Sequence, residues 1–473
     1  MTRSKISQTS FADLEFLGQG IRLEPMLQAI SDFLDQHGHL VEKVRRDLER
    51  GLKNPKIGRN GLTAQQVLRS LTLMRVKNWH YRELRERITD GYTLRRFTRF
   101  YSKLVPKHDA FNRAFNRLTP ATLEAINEIV VQSAVALGLE NGKKLRVDTT
   151  VVESDIHHPT DSTLLWDSVR VITRLVGQLN DLLPHGVPGF TDRTRSARRR
   201  MQEIQRMTAR DRQDKLAPKY RALICTTGQV VENARLVLKK TEQVRSIDLM
   251  SEVAIKTLRE EIDHYCGLGE RVIDQARRRV LDGEQVPNRQ KLFSIFETHT
   301  DLIKRGKILK PVEFGHKVFI AESARGLITQ YRVLNGNPTD DAQVQSSLER
   351  HQQTFGDAPK IYSADRGFFS QDNIQQCKDA GVDLVCIPQR GGRKKLAQEA
   401  YEKSPAFKDA QRFRAGVEGR ISVLFRGRGM KRCLAEGRER FELLVGAAVL
   451  ANNLMAIARL LTETQKRRRR RAA

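Results

Sequence analysis

The sequence predicts an α/β fold: a mixed sheet preceded by a helical domain and split after its first strand by a long helical block. Three observations carry this. Helical periodicity fills the first 140 residues, a β-branched run at 143–154 breaks it, and strand texture resumes only near 314. From there short strands and helices alternate.

The elements follow in order. "EPMLQAISDFLDQHGHLVEKVRRDLERGL" (24–52) sets Met26, Ile30, Phe33 and Leu34 at helical spacing. "TAQQVLRSLTLMRV" (63–76) opens on a good cap, Thr63, and lines Val67, Leu68, Leu71 and Met74 along one side. "HYRELRERI" and "LTPATLEAINEIVVQSAVALGL" complete a basic helical cluster that suits a DNA reader and a packing or dimerisation module equally. "KKLRVDTTVVES" (143–154) predicts the first strand, and helical texture then runs from about 164 to 288 with very basic pieces at 193–215 and 270–281. "FGHKVFIAES" (314–323) and "LITQYRVLNG" (327–336) predict a hairpin turning at "ARG". "PKIYSAD" (359–365) predicts a strand, "QDNIQQCKDAG" (371–381) a helix, and "VDLVCIP" (382–388) another strand. A helix-rich end (407–461) and the tail "KRRRRR" (466–471), expected to be disordered, close the chain.

A chain of 473 residues is long enough for a large core and two to four domains. Lys and Arg number 84 against 56 acids, so the net charge is +28 and a polyanion, with nucleic acid foremost, is the expected partner. The most apolar run, "LLVGAAVLANNLMAIARLL" (443–461), is interrupted by Asn452, Asn453 and Arg459 and reads as a buried helix rather than a membrane span. The N-terminus lacks the apolar core of a signal peptide. Five cysteines without metal-ligand spacing point to reduced, buried thiols in a cytoplasmic protein.

Three acids stand out by context. Asp148 sits inside the first strand, Asp365 ends a later one in "YSADRGFFS", and Glu418 lies beside the apolar stripe of Val417, Ile421 and Leu424, with Arg414 one turn before it. Asp365 has two readings: it caps a turn eased by Gly367, or it projects charge from a sheet edge into a site. Acids brought together from separate elements repel unless cations join them. Carboxylates with few histidines suit Mg²⁺ or Mn²⁺. Two such ions about 4 Å apart can promote attack on a phosphodiester.

These residues resemble the bacterial insertion-sequence transposases of the DDE type. "LRVDTTVVES" is similar to their first-Asp strand, "FGHKVFIAESARGLITQYRVLNGNPTDD" to the following hairpin, and "SADRGFFS" to the second-Asp motif. "RFRAGVEGRISVLFRGRGMKRC" resembles their Glu helix and "AVLANNLMAIARLL" the closing helix. "VDTTVVESDIHHPTDSTLLWDSVRVITRL" is further similar to the ISNCY ("not classified yet") group. The likeness covers 143–163 and 312–461 and rests on several motifs in the right order.

The resemblance implies an RNase H-like mixed sheet core, with an N-terminal helical domain and a large basic helical insertion after the first core strand. The expected boundaries are 1–140 for the N-terminal DNA-binding or dimerisation domain, 141–165 with 289–461 for the core, 166–288 for the insertion and 462–473 for the tail. It makes Asp148, Asp365 and Glu418 the catalytic, metal-binding triad, with two Mg²⁺ or Mn²⁺ ions as cofactor. It further implies cleavage of element ends, joining of the 3′-hydroxyl to target DNA, a homodimer or higher multimer on paired ends, and a cytoplasmic, nucleoid-associated protein. The Tyr–Arg–Glu–Lys signature of many relatives is matched at Arg414 and Glu418; Gln411 stands at its Tyr and Phe425 at its Lys, with Arg426 next door. Arg414 and Arg426 are therefore expected on DNA, as are Arg198, Arg199 and Arg200 in the basic insertion. A repressor without catalysis and a nuclease without strand transfer are the alternatives.

Lesser signals remain. Strand alternation puts Asp148, Thr150 and Val152 on one face and Glu153 on the other. His157 and His158 sit in a loop without metal-ligand spacing, and Trp166 is expected to cover the core beneath the insertion.

Overall fold

The computed structural model describes all residues except 1, 4–9, 55–58, 184, 188, 245–247, 305–310 and 473. The chain forms two compact units, Met1–Glu153 with His316–Ala473, and Ser154–Gly315.

Strand β3 (Lys144–Ser154) is central to the sheet, and from Leu145 to Ser154 only Arg146 escapes full burial. Its β-branched run suits such a strand, covered on both faces. Both faces being covered also explains Glu153, which alternation alone would turn outward. It is buried and meets Arg432 at 2.8 Å, on the short strand β9 (Arg432–Cys433). Beyond two-residue β1 (Thr2–Arg3) and β2 (Arg59–Asn60), the sheet comprises β4 (Asp301–Lys304), β5 (Val312–Ser323), β6 (Ile328–Val333), β7 (Ile361–Ser363) and β8 (Leu384–Cys386). The order is β4-β5-β3-β7-β8, with β6 on β5 and β9 on β3. β7 runs parallel to β3 and to β8, while the β5–β6 hairpin is antiparallel. This is the expected mixed sheet, with helical segments as predicted.

The N-terminal helices are α1 (Phe11–Gly18), α2 (Pro25–Gln36), α3 (Gly38–Glu49), α4 (Ala64–Lys77), α5 (Tyr81–Asp90), α6 (Tyr92–Thr98), α7 (His108–Phe115) and α8 (Pro120–Ala136). The helical stretch 24–52 divides at His37. Thr63 caps α4 in a reciprocal box with Gln66, at 3.2 and 3.0 Å. These helices share one apolar core with the last helix, α17 (Arg438–Ala472), through Ile30, Phe33, Val67, Phe111 and Val130 against Leu450, Leu454 and Ile457.

Helix α17 is long and apolar enough over Arg438–Arg467 to cross a membrane, yet 89% of that apolar window is buried inside the fold. Its polar interruptions have partners there. Asn453 binds both backbone groups of Ile328 at 2.8 Å and Asn127 at 2.7 Å, and Asn452 accepts from Arg420. The helix continues to Ala472, where the sequence led us to expect a disordered tail. Four of the five thiols are buried as expected, but Cys225 is exposed. Burial pushes Cys266, Cys377 and Cys386 up to about 12, which leaves them unreactive.

The second unit holds α9 (Asp161–Leu182), α10 (Thr194–Gln205), α11 (Ala209–Thr241) and α12 (Leu249–Ala276) around its own core of Ile172, Leu175, Val231 and Ile262. It also holds β4 and the start of β5, which pair within it. Trp166 packs on this unit's own core. His157 lies 3.4 Å from Asp167, and His158 meets Phe314 edge-on.

Helices α13 (Val344–Phe355) and α14 (Gln371–Asp379) flank β7 in sequence. His351 of α13 is buried; burial pushes its imidazole from 6.5 down to about 4, against a backbone hydrogen bond at Gly142 that acts the other way. The folded-state value is depressed, so as pH falls the unfolded chain takes the proton first. Stability of the first unit should be intact above about pH 6.5 and decline toward about pH 4, by roughly 3 kcal/mol in all. Denaturant titrations across that range should show the slope, and His351→Leu should flatten it.

Candidate active site

The register of two parallel strands aligns the aspartates. Lys144 pairs with Ile361, an offset of 361 − 144 = 217, and Arg146 with Ser363 at the same offset. Asp365 also lies 365 − 148 = 217 residues after Asp148, so the two acids are cross-strand counterparts just past the last pair. Asp148 is held within the strand, with Oδ1 accepting the Thr149 N–H at 2.8 Å.

At Asp365 the capping reading is realised by one oxygen, and the other faces Arg414. Oδ1 accepts the Gly367 N–H at 2.7 Å and caps a single turn of 3₁₀ helix, Arg366–Phe368. Oδ2 lies 3.8 Å from the Arg414 guanidinium. Gly367 is required for space: a Cβ there would stand 2.9 Å from Asp365 Oδ1 and 3.0 Å from Asp340 Oδ2.

Glu418 comes from helix α16 (Pro405–Ser422), which follows α15 (Leu396–Lys403) and seats Phe407 and Ala410 against Cys386. The helix is fixed to the sheet by a buried ionic clamp. Glu322 of β5, fully buried, bonds Arg146 of β3 at 2.7 Å and Arg420 of α16 at 2.7 Å. Arg146 also donates to the Phe413 carbonyl at 2.6 Å and stacks on the Phe413 ring at 4.9 Å. Gly416 makes this approach possible, because a Cβ there would collide with the Arg146 guanidinium. The chain of contacts from β3 and β5 to residues 413, 416 and 420 sets where Arg414 and Glu418 point.

All three acids converge on Arg414. Its Nη2 is 3.0 Å from Asp148 and 3.8 Å from Asp365, and its Nη1 is 3.1 Å from Glu418. The carboxylates grade from sheltered to open: 11% exposed at Asp148, 36% at Asp365 and 69% at Glu418. A single cation thus offsets the repulsion of assembling them. Among the described residues, no three His, Cys, Asp or Glu side chains close to metal-holding distances. The donor set around Arg414 is carboxylate oxygen throughout, which suits a hard divalent ion.

Sequence reasoning missed the supporting residues. Asp340, in "NPTDD", accepts from Thr149 at 2.8 Å and from Lys317 at 3.0 Å, tying the residue after Asp148 to the turn after Asp365. Glu322, Arg146 and Arg420 were not singled out either. Gly416, a glycine inside a helix, was the one available signal of close approach. Arg426 is exposed at the end of the Glu helix and engages Asn78 through its backbone carbonyl. Arg198, Arg199 and Arg200 lie on α10, where Arg199 reaches Glu203 at 3.8 Å and Arg200 bonds Ser196.

Residues 279–454 match the family described as the transposase DDE domain. Asp365, Arg414 and Glu418 fall inside the matched segment and Asp148 before it. The match does not distinguish the ISNCY group from other insertion-sequence families. No curated protein and no solved structure matches the chain.

Proposed function

We propose, on the match of residues 279–454 to the transposase DDE domain, that the chain is a DDE-type transposase that binds insertion-sequence ends, cleaves them by metal-dependent hydrolysis and joins the freed 3′-hydroxyl to target DNA. The observation that carries this is the convergence of Asp148, Asp365 and Glu418 on one guanidinium. Asp148 and Asp365 would be shared ligands of two Mg²⁺ or Mn²⁺ ions and Glu418 would complete the site. When bound, such ions supply Lewis acidity toward the phosphodiester.

The protein's own groups orient the strand. Arg414, once its carboxylates are otherwise neutralised, would meet a DNA phosphate, and Arg426 lies farther along the same run. Arg198, Arg199 and Arg200 add sequence-independent phosphate affinity in the second unit, in keeping with the net charge of +28. The working form is a homodimer or higher multimer on paired ends.

The test is incubation of the full chain with a target plasmid and a labelled duplex carrying the DNA that flanks its gene, with and without Mg²⁺. Cleavage followed by joining of label to plasmid, only with metal, is the expected result. Cleavage without joining would indicate a nuclease, and metal-independent binding alone a repressor.

A further inference from the structure

Apart from the carboxylate site, the first unit contains a cavity of about 670 Å³ between the end of α4, α7, α8 and residues 429–447. That is within the usual size of a small-ligand pocket, roughly 300–1,000 Å³. Arg75, Asn78, Trp79, Tyr81, Asn116 and Arg440 stand in its wall. Helix α4 ends at Asn78 in a left-handed conformation (φ 56°), and the Trp79 N–H bonds the Met74 carbonyl at 2.9 Å, which puts Trp79 at the wall. Gly429 closes on this corner, since a Cβ there would run into the Asn78 side chain and reach 3.4 Å from Arg75 Nη1.

Arg75 is the unexplained group. Its Nε is buried with no hydrogen-bond partner. Burial pushes its pKa down, and the groups that favour its charge are Tyr81 and Cys433 rather than a carboxylate. A guanidinium cannot shed its charge as a lysine can, so one with a buried Nε left without a partner among the described residues favours an anion, even with Glu436 elsewhere in the wall. Half-buried Trp79 and Tyr81 beside it offer aromatic faces, and Asn78 and Asn116 offer amides able to meet a base edge. Phosphate, stacking surface and amide together describe a nucleotide better than a bare anion.

We propose that this cavity takes one unstacked nucleotide of a DNA strand, its base against Trp79 and Tyr81 and its phosphate at Arg75 and Arg440. The inference rests on the reading of the chain as a DNA-binding protein. Unstacking costs less in a single strand or at a duplex end than within a duplex, so such DNA should enter most readily.

The chain has only two tryptophans, Trp79 and Trp166, so the full chain carrying Trp166→Phe reports on Trp79 alone. Its fluorescence is titrated with a dye-labelled short oligothymidylate while the dye's anisotropy is followed, and separately with thymidine monophosphate and inorganic phosphate. The expected result is saturable quenching that tracks anisotropy, with Arg75→Met weakening binding by roughly tenfold. Exposed Arg440→Gln should weaken it as well, which keeps the test valid if Arg75→Met fails to fold. Phosphate should not quench, and the free nucleotide should do so only at far higher concentration. Anisotropy that rises without quenching, or unchanged affinity in Arg440→Gln, would overturn the cavity assignment alone. Quenching by free thymidine monophosphate as tight as by the strand would replace it with a free-nucleotide site. No rise in anisotropy would overturn the DNA-binding reading as well.

Discussion

Asp365→Asn is expected to lower metal-dependent cleavage by on the order of 10³-fold or more while leaving duplex binding and folding intact. Asparagine is the informative replacement because its carbonyl oxygen can still accept the Gly367 N–H that shapes the turn at 2.7 Å. What it removes is the charge facing Arg414. A loss of activity therefore reports on the carboxylate as a ligand rather than on the turn. Asp148→Asn should behave alike, since the two are cross-strand counterparts. Gel-shift binding and cleavage measured on the same preparations separate the two effects; cleavage within tenfold of wild type in both variants would remove them from the reaction.

The second large effect is structural. Glu322→Ala leaves Arg146 and Arg420 mostly buried, with side chains 13% and 19% exposed, and without their shared carboxylate. Breaking a buried pair in this way costs about 3–5 kcal/mol, because uncompensated charge remains inside. The loss should appear as a lower melting temperature and as faster amide exchange in α16, the helix that carries Arg414 and Glu418. Glu322→Gln, which keeps the shape but can accept from only one of the two guanidiniums, should fall between. If Glu322→Ala melts with wild type, the clamp does not hold the helix.

Much of the architecture was legible because local chemistry and tertiary role agree. The β-branched run of β3 forms a buried strand, Thr63 caps its helix, and the Asp365 turn reads directly from "SADRG". Asp148 and Asp365 stand out because an acid is unusual inside or at the end of a strand, whereas Glu418 stands out only by its place beside an apolar stripe and by the family resemblance. What could not be read was pairing across the chain. That Arg146, Glu322 and Arg420 meet depends on strand order and helix docking, which periodicity does not encode. Shared cores were hidden for the same reason: α17 looks like one apolar helix, and nothing local says that it serves both the sheet and the N-terminal helices. Arg414 was read as a phosphate contact, while its ion pairs with all three acids emerge only when the elements are assembled.

The most direct test of the central claim is binding of Mn²⁺ to the full chain, followed by electron paramagnetic resonance of the free ion. The account predicts that wild-type protein removes Mn²⁺ from solution at about two sites in the presence of duplex DNA, and that Asp148→Asn combined with Asp365→Asn abolishes this. Mn²⁺ uptake unchanged in the double variant would contradict it.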